Sequence, residues 1–292
     1  MAQHHGTAQA TQRPTKRMIL VLCLTAGYMF AEAIGGMLSN SLSLLADAGH
    51  MLADVVAISI SIIAFMLSAR PSNERASFGY HRAEVIAALI NGVVLLIVSF
   101  FIIKEAIARF FTPAVIESRL MIAIAIGGLL INIIGLMALQ RDKSHNLNVK
   151  GAWLHVLSDA LSSVGVIISG LVIYFLGWSM ADPITSIGIA CLVSYSAIHL
   201  ILETINVLME HAPPHIDPKE VEHAILSVEN ATLVHDLHIW SITPGHEALS
   251  VHIVLKPGGS FAKLLHDVEK VLLERFGIAH TTIQIEHHDI DQ

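Results

Sequence analysis

Six apolar segments, each near or above the length needed to cross a lipid bilayer, constrain the fold of this chain more than any other feature. A helix needs about 20 apolar residues to cross the hydrocarbon layer. Backbone polar groups in that layer must be paired within the segment, so each segment is expected to be helical. The chain is therefore predicted to form an all-α bundle of six transmembrane helices. The segments are Met18–Leu38, Leu42–Leu67, Val85–Ile103, Leu120–Leu139, Val149–Leu176 and Pro183–Leu202.

The composition supports this class of protein. Hydrophobic residues make up 54% of the 292 positions and charged residues only 14%, against about 25% charged in a soluble domain. The first apolar segment is longer than the core of a cleavable signal peptide and has no clear cleavage site, so we expect it to remain in the mature protein. The net charge is −7 and the polar part has no basic stripe, so nucleic acid is not an expected partner.

Basic residues between the apolar segments predict the orientation in the bilayer. Loops on the cytoplasmic side carry an excess of Lys and Arg. Basic residues precede the first segment and lie between the second and third and between the fourth and fifth, whereas the opposite loops hold one clear basic residue, Arg119. Arg109 is a partial exception. Both termini are therefore expected in the cytoplasm, with a disordered tail over residues 1–15 and the transmembrane domain over residues 16–209.

The chemistry of the chain changes after Pro213-Pro214, and residues 210–292 are predicted to form a separate small α+β domain. Its predicted elements follow the order α-β-β-α-β, which is typical of a ferredoxin-like sheet with helices on one face. A domain of about 80 residues has a modest core, so dimerisation would stabilise it. The predicted elements are a helix from Pro218 to about Val228, strands Thr232–Ile242 and Glu247–Leu255, helix Phe261–Phe276 and strand Thr281–Glu286.

Two of the apolar segments contain matching pairs of ionisable residues, His50-x-x-x-Asp54 and His155-x-x-x-Asp159. Each charged residue in a membrane helix costs roughly 2.5 to 3.5 kcal/mol on insertion scales, so such residues rarely persist there without a partner. Residues four apart lie on one helix face, so each pair presents an imidazole and a carboxylate together. Two facing helices would supply two nitrogens and two oxygens, a donor set that suits tetrahedral Zn²⁺.

Other interpretations apply to single residues. A lone His or Asp in a membrane helix can be satisfied by a hydrogen bond to a neighbouring helix, and for Asp47 this interpretation stays open. Glu32 and Asn132 fit a packing role and a role in supporting the metal ligands equally well. Two matching pairs in separate segments favour a metal site over unrelated hydrogen bonds.

Metal and protons compete for imidazole and carboxylate groups, so a site of this kind predicts exchange of Zn²⁺ for protons. An intramembrane zinc enzyme is one alternative, but it needs an open coordination position and a general base, as in His-Glu-x-x-His, which the sequence lacks. A membrane-anchored zinc sensor without transport is the other alternative, and it leaves the intramembrane ligands without a role.

Five stretches of the sequence form a recognisable set, namely Leu45-Ala46-Asp47-Ala48-Gly49-His50 with Asp54, Ser77-Phe78-Gly79-Tyr80-His81-Arg82-Ala83-Glu84, His155-x-x-x-Asp159, His235-Asp236-Leu237-His238-Ile239-Trp240 and Thr282-Ile283-Gln284-Ile285-Glu286. With these motifs the chain resembles the cation diffusion facilitator family, nearest its zinc-exporting branch. The resemblance implies a homodimeric zinc/proton antiporter with a cytoplasmic ferredoxin-like domain, in which His50, Asp54, His155 and Asp159 bind the transported ion. Cd²⁺ and Co²⁺ are not ranked against Zn²⁺ by the sequence. The short loop Arg141–Lys150 lacks a long His-rich insert, which favours a bacterial protein of the inner membrane.

The resemblance also bears on two further places. It implies a regulatory metal site in the cytoplasmic domain, formed by His235, His252, His280 and Glu286. The alternative is that several of these histidines are solvated surface residues. Some relatives have another site in the loop between the second and third helices, built from one Asp and two His. Here Asn73, Ala76 and Tyr80 occupy those positions, so that site is not expected, and His81 is favoured as a structural residue.

Overall fold

The computed structural model describes the backbone of residues 16–68, 73, 74, 76–140 and 147–287. Side chains are described for the same residues except 16–22, 54, 57–65, 67, 68 and 147–152. The predicted N-terminal tail, residues 1–15, lies outside the described residues. The described chain divides into two compact units, which we treat separately. We call the described residues of Gln9–Ile60 and Ile90–Ile201 the helical unit, and those of Ser61–Leu89 and Leu202–Gln292 the mixed unit.

All six apolar segments form helices, as predicted from their continuous apolar character. Among the described residues, four helical stretches are long and apolar enough to cross a membrane, namely Arg82–Phe111, Ser118–Leu139, Trp153–Leu176 and Ala181–Leu208. A shorter apolar stretch, Leu42–Ala53, lies in the second helix. The six helices are α1 Lys16–Ser39, α2 Leu42–Ser68, α3 Arg82–Phe111, α4 Ser118–Leu139, α5 Leu147–Leu176 and α6 Ala181–Leu208.

Small residues bring the helices of the helical unit together. A Cβ atom built on Gly35 of α1 would overlap the side chain of Ile124 on α4, and one on Gly170 of α5 would lie 2.6 Å from Ile122. Such close approach is how helices associate in a bilayer, where lipid is as apolar as the side chains. Buried residues from five of the helices, including Leu44, Leu95, Met121, Val166 and Val193, form one contiguous core.

The C-terminal part contains the predicted α-β-β-α-β order. Its elements are α7 Pro218–Leu226, β1 Ala231–Thr243, β2 His246–Leu255, α8 Phe261–Phe276 and β3 His280–Glu286. Helix α7 begins where the Asp217 carboxylate accepts the backbone N–H of Lys219 at 2.9 Å. Helix α8 ends at Gly277, whose φ of 71° is the left-handed conformation that glycine adopts at little cost.

The three strands form one sheet in the order β1-β2-β3, with β1 antiparallel and β3 parallel to the central β2. The register places His235 opposite His252, and places Glu286 beside Val254. An irregularity in β1 follows His235, where Asp236 adopts a φ of 50°. Buried residues of both helices, such as Val221 and Leu272, share one core with strand residues such as Leu249 and Ile253.

Candidate metal centre

The helical unit brings together two imidazoles and one carboxylate from α2 and α5. Asp159 Oδ1 lies 3.8 Å from His50 Nε2, and Asp159 Oδ2 lies 3.8 Å from His155 Nε2. One potential ligand atom from each of the three residues lies within 4.8 Å of the others. The Asp159 side chain is buried at 3% exposure, while those of His50 and His155 are 20% and 44% exposed.

This arrangement offers two nitrogen donors and a carboxylate, which is a donor set that Zn²⁺ accepts. The buried carboxylate supplies negative charge that favours a cation. His155 is the most exposed of the three residues, so the cluster is accessible from its side. The side chain of Asp54 lies outside the described residues. Its backbone lies in α2, one helical turn after His50.

Further polar side chains surround this cluster. Ser162 on α5 donates a hydrogen bond to Asp47 Oδ1 on α2 at 2.7 Å. Asn132 Nδ2 on α4 donates a long hydrogen bond to Ser163 Oγ on α5 at 3.5 Å. Glu32 on α1 is 1% exposed. Asp47, Asn132 and Glu32, the polar residues whose roles the sequence left open, are thus all buried in the helical unit.

One buried polar group in the helical unit was not predicted from the sequence. Asp182, at the start of α6, is fully buried and accepts the backbone N–H groups of Leu42 and Ser43 at 2.8 and 3.0 Å. It also accepts the hydroxyls of Ser41 and Ser43, each at 2.7 Å, and lies 3.5 Å from Arg109 Nη1. Asp182 therefore caps the N-terminus of α2 from another helix. The only sequence signal was an acidic residue before Pro183, which is also typical of an ordinary helix start.

The mixed unit contains another cluster, formed by His235 on β1, His252 on β2 and Glu286 on β3. Glu286 Oε2 lies 3.2 Å from His235 Nε2, and Glu286 Oε1 lies 3.1 Å from His252 Nδ1. The Glu286 side chain is 3% exposed and also accepts a hydrogen bond from Gln284 Nε2 at 2.6 Å. Cross-strand pairing of His235 with His252 explains why the two imidazoles meet.

Asp236 extends this cluster. The left-handed backbone at Asp236 accompanies a carboxylate that accepts His238 Nε2–H at 2.8 Å and lies 3.8 Å from His252 Nε2. The hydrogen bond from His238 holds the pKa of Asp236 below its ordinary value. The two nitrogens of His252 thus face different carboxylates, Glu286 at Nδ1 and Asp236 at Nε2.

His280 is not part of the cluster that His235, His252 and Glu286 form. It begins β3, whereas Glu286 ends that strand, and its ring lies 5.5 Å from the ring of Phe78. His81, which the sequence favoured as structural, stacks on His246 with ring centroids 5.2 Å apart.

The loop positions that carry Asp and His in some relatives hold a hydrogen-bonded turn here. Asn73 Oδ1 accepts the backbone N–H of Ala76 at 2.8 Å, and Asn73 Nδ2 lies 3.3 Å from the Tyr80 hydroxyl. An amide and a phenol hydrogen-bonded in this way are weaker ligands for Zn²⁺ than the carboxylate and imidazoles they replace.

Comparison with known proteins shows the family to which this chain belongs. The model of the cation efflux transmembrane domain matches residues 18–209, and that of the cation efflux protein cytoplasmic domain matches residues 213–288. The C-terminal α+β part is thus a cytoplasmic domain by family description.

Curated relatives match over almost the whole chain. A cadmium, cobalt and zinc/H(+)-K(+) antiporter of Bacillus velezensis is 42% identical, covering 98% of this chain and 92% of the relative. The zinc transporter ZitB of Escherichia coli is 39% identical, covering 93% of this chain and 87% of the relative. The metal cation efflux system protein CzcD of Cupriavidus metallidurans is 39% identical, covering 91% and 85%. With both family models and these relatives in agreement, the chain belongs to the cation diffusion facilitator family of metal efflux transporters, in its zinc-exporting branch.

Proposed function

We propose that this protein exports Zn²⁺ from the cytoplasm in exchange for protons, through a site formed by His50, Asp54, His155 and Asp159. The observation that carries this proposal is the convergence of His50 and His155 on the buried carboxylate of Asp159. Relatives named as zinc transporters and as a zinc/H(+)-K(+) antiporter support both the ion and the exchange.

The donor set favours Zn²⁺ over harder ions. Imidazole suits Zn²⁺, Co²⁺ and related metals, whereas Mg²⁺, Ca²⁺ and Mn²⁺ prefer sites made of oxygen donors alone. Two imidazoles in the set therefore select against the abundant hard cations of the cytoplasm. Cd²⁺ and Co²⁺ share enough of this chemistry to be transported as well, in keeping with the name of the Bacillus relative.

Exchange follows from competition at the ligands. An imidazole binds metal only in its neutral form, so protons arriving at His50 and His155 displace the ion. When the site faces the cytoplasm, Zn²⁺ binds as protons leave, and when it faces outward, protons bind as Zn²⁺ leaves. Rocking of packed helices around a site of fixed composition would provide the alternating access, as in other transporters with midplane sites.

The architecture that we propose has six transmembrane helices over residues 16–209 and a ferredoxin-like cytoplasmic domain over residues 210–292. Four described helices have the required length and apolarity, and α1 and α2 continue the same pattern in sequence. Both termini lie in the cytoplasm, and the protein is a homodimer of the bacterial inner membrane. The excess of basic residues on one set of loops supports the orientation.

We propose a regulatory metal site in the cytoplasmic domain at His235, His252 and Glu286. The imidazole and carboxylate groups lie 3.1 to 3.2 Å apart, and Asp236 Oδ2, 3.8 Å from His252 Nε2, offers an additional ligand. Binding there would report cytoplasmic Zn²⁺ to the transporter. A protein that used this site alone, as a zinc sensor, would not need the intramembrane cluster.

Flux in liposomes tests the proposal. The purified protein is reconstituted with a zinc-sensitive dye inside the vesicles, and a pH gradient with an acidic interior is imposed. Zn²⁺ entry that depends on the gradient and is lost in Asp159→Ala is the expected result. Normal Zn²⁺ binding to the protein without any gradient-driven entry would instead favour the sensor.

A further inference from the structure

Glu32 of α1 is a buried carboxylate that the proposed metal site does not use. Its side chain is 1% exposed, and Oε2 has no hydrogen-bond partner among the described residues. A Cβ atom built on Gly128 of α4 would lie 2.6 Å from Glu32 Oε1, so the carboxyl group fills the space that this glycine leaves. A side chain at position 128 would expel it. Gly128 therefore leaves room for a carboxyl group whose ionised form costs several kcal/mol to bury.

The groups that face Glu32 do not neutralise it. Asp47 from α2 and Asp159 from α5 are buried acids of the same unit, and their ionised forms carry the same sign of charge as an ionised Glu32. Tyr28 on its own helix donates its hydroxyl to the Ile124 carbonyl instead. The Ser163 hydroxyl of α5, which borders the same space beside Gly128, is neutral. Among the described residues, no Lys or Arg forms an ion pair with Glu32.

Asp47 differs from Glu32 in its hydrogen bonding. Its Oδ1 accepts the Ser162 hydroxyl at 2.7 Å, and a hydrogen bond of this kind favours the ionised form of a carboxyl group. Glu32 Oε2 has no such donor among the described residues. Of the two buried acids, Glu32 therefore has the fewer hydrogen-bond donors to stabilise its ionised form.

We propose that Glu32 is a proton-binding site, separate from the metal ligands, whose occupancy opposes that of the metal site. A divalent ion at Asp159 brings positive charge into the low-dielectric surroundings that Glu32 shares, and this charge favours the ionised carboxylate. The O–H bond of the Glu32 carboxyl breaks and its proton leaves to the solvent that the site faces. When the ion departs, the carboxylate takes a proton from that solvent. The inference rests on the proposed function and adds a proton carrier to it.

The test counts protons released when Zn²⁺ binds to the full-length protein in detergent. Release is measured with a pH indicator in weak buffer, for the wild type, Glu32→Gln and the control Glu84→Gln, whose side chain is exposed on α3. Glu32→Gln keeps the volume of the side chain but cannot release a proton. We expect it to bind the same number of Zn²⁺ ions while releasing about one proton fewer per transmembrane site, with Glu84→Gln unchanged.

Three results would overturn the inference. Equal proton release by Glu32→Gln and the wild type would show that Glu32 does not titrate with metal. A Zn²⁺ affinity that depends on K⁺ concentration, with this dependence lost in Glu32→Gln, would show an alkali ion in place of the proton. If Glu32→Gln does not fold, infrared difference spectra of wild-type protein labelled at glutamate carboxyls replace it. Absence of a protonated-carboxyl signal that disappears on adding Zn²⁺ would then exclude the proposal.

Failure of the proposed function is distinguishable from failure of this inference. A wild-type protein that does not transport Zn²⁺ in liposomes contradicts the function itself. A wild-type protein that transports Zn²⁺, with proton release unchanged in Glu32→Gln, contradicts only the role of Glu32.

Discussion

The Nε2 atom of His50 in α2 lies 3.8 Å from Oδ1 of Asp159 in α5. The imidazole is contributed by one apolar helix and the carboxylate by another, and the same carboxylate also faces His155. Any movement that separates α2 from α5 would therefore take the three side chains apart. A metal ion at this position couples its own binding to the packing of these two helices.

Removal of the central carboxylate is expected to abolish transport. Asp159→Ala should reduce gradient-driven Zn²⁺ flux below detection, because the site loses both a ligand and the negative charge that attracts the ion. The protein should still fold, since the change removes a buried charge rather than apolar packing. Flux is measured in liposomes, and gel filtration and thermal unfolding check the fold. The matched control is Ser158→Ala, the exposed neighbour in α5; wild-type flux from Asp159→Ala would exclude this residue from the site.

Exchange of one imidazole for a carboxylate is expected to relax metal selectivity. His50→Asp should lower the ratio of Zn²⁺ to Mn²⁺ transport, because oxygen donors suit Mn²⁺ better than imidazole does. Parallel flux measurements with both ions give this ratio for the mutant and the wild type. His199→Asp places the same change on another apolar helix, α6, and should leave the ratio unaltered. An unchanged ratio in His50→Asp would contradict its assignment as a ligand.

The cytoplasmic cluster makes a separate prediction about metal stoichiometry. Glu286→Gln should remove the cytoplasmic Zn²⁺ because the central carboxylate contacts both His235 and His252. His280→Ala should keep that ion, since His280 lies at the other end of β3. Bound metal per chain is measured by elemental analysis after gel filtration. Loss of the same ion in His280→Ala would instead support the ligand set that the family resemblance implies, with His280 included.

The contacts of Asp182 predict a large effect on stability. Asp182→Asn should lower the free energy of unfolding by about 3 kcal/mol, because a buried charge that is hydrogen-bonded and paired with Arg109 is lost. Thermal unfolding in detergent, followed by gel filtration, shows the change as a lower Tm. Glu105→Gln removes the exposed partner of Arg109 and should have little effect. Equal Tm values for Asp182→Asn and the wild type would show that α2 is held by other contacts.

Continuous apolar segments and turn residues were sufficient to predict most of the fold. All six apolar segments are helical, and the order of the C-terminal elements is as expected. The ends were less accurate: α7 ends at Leu226 rather than near Val228, and β1 extends one residue further at each end than Thr232–Ile242. Local sequence preferences do not fix such ends, because helix ends fray and the ends of a strand depend on its partner strand.

The sites were predictable only where helix periodicity or strand register governs them. Periodicity paired His155 with Asp159 on one face, but only helix packing could bring His50 to them. The contact of Asp182 with Leu42 joins two segments far apart in sequence, and no local pattern distinguishes it from an ordinary helix start. His280 stays a predicted ligand of the cytoplasmic site, although it and Glu286 lie at opposite ends of β3.

The coordination of Zn²⁺ bound to the helical unit shows whether the two imidazoles and two carboxylates of α2 and α5 bind one ion. X-ray absorption at the zinc edge is measured on full-length protein carrying Glu286→Gln, so that the cytoplasmic cluster does not contribute. We expect a four-coordinate ion with two imidazole nitrogens and two carboxylate oxygens at about 2.0 to 2.2 Å. The bound Zn²⁺ should be lost progressively as the pH falls. A spectrum without imidazole, or one that His50→Ala and His155→Ala leave unchanged, would contradict this expectation.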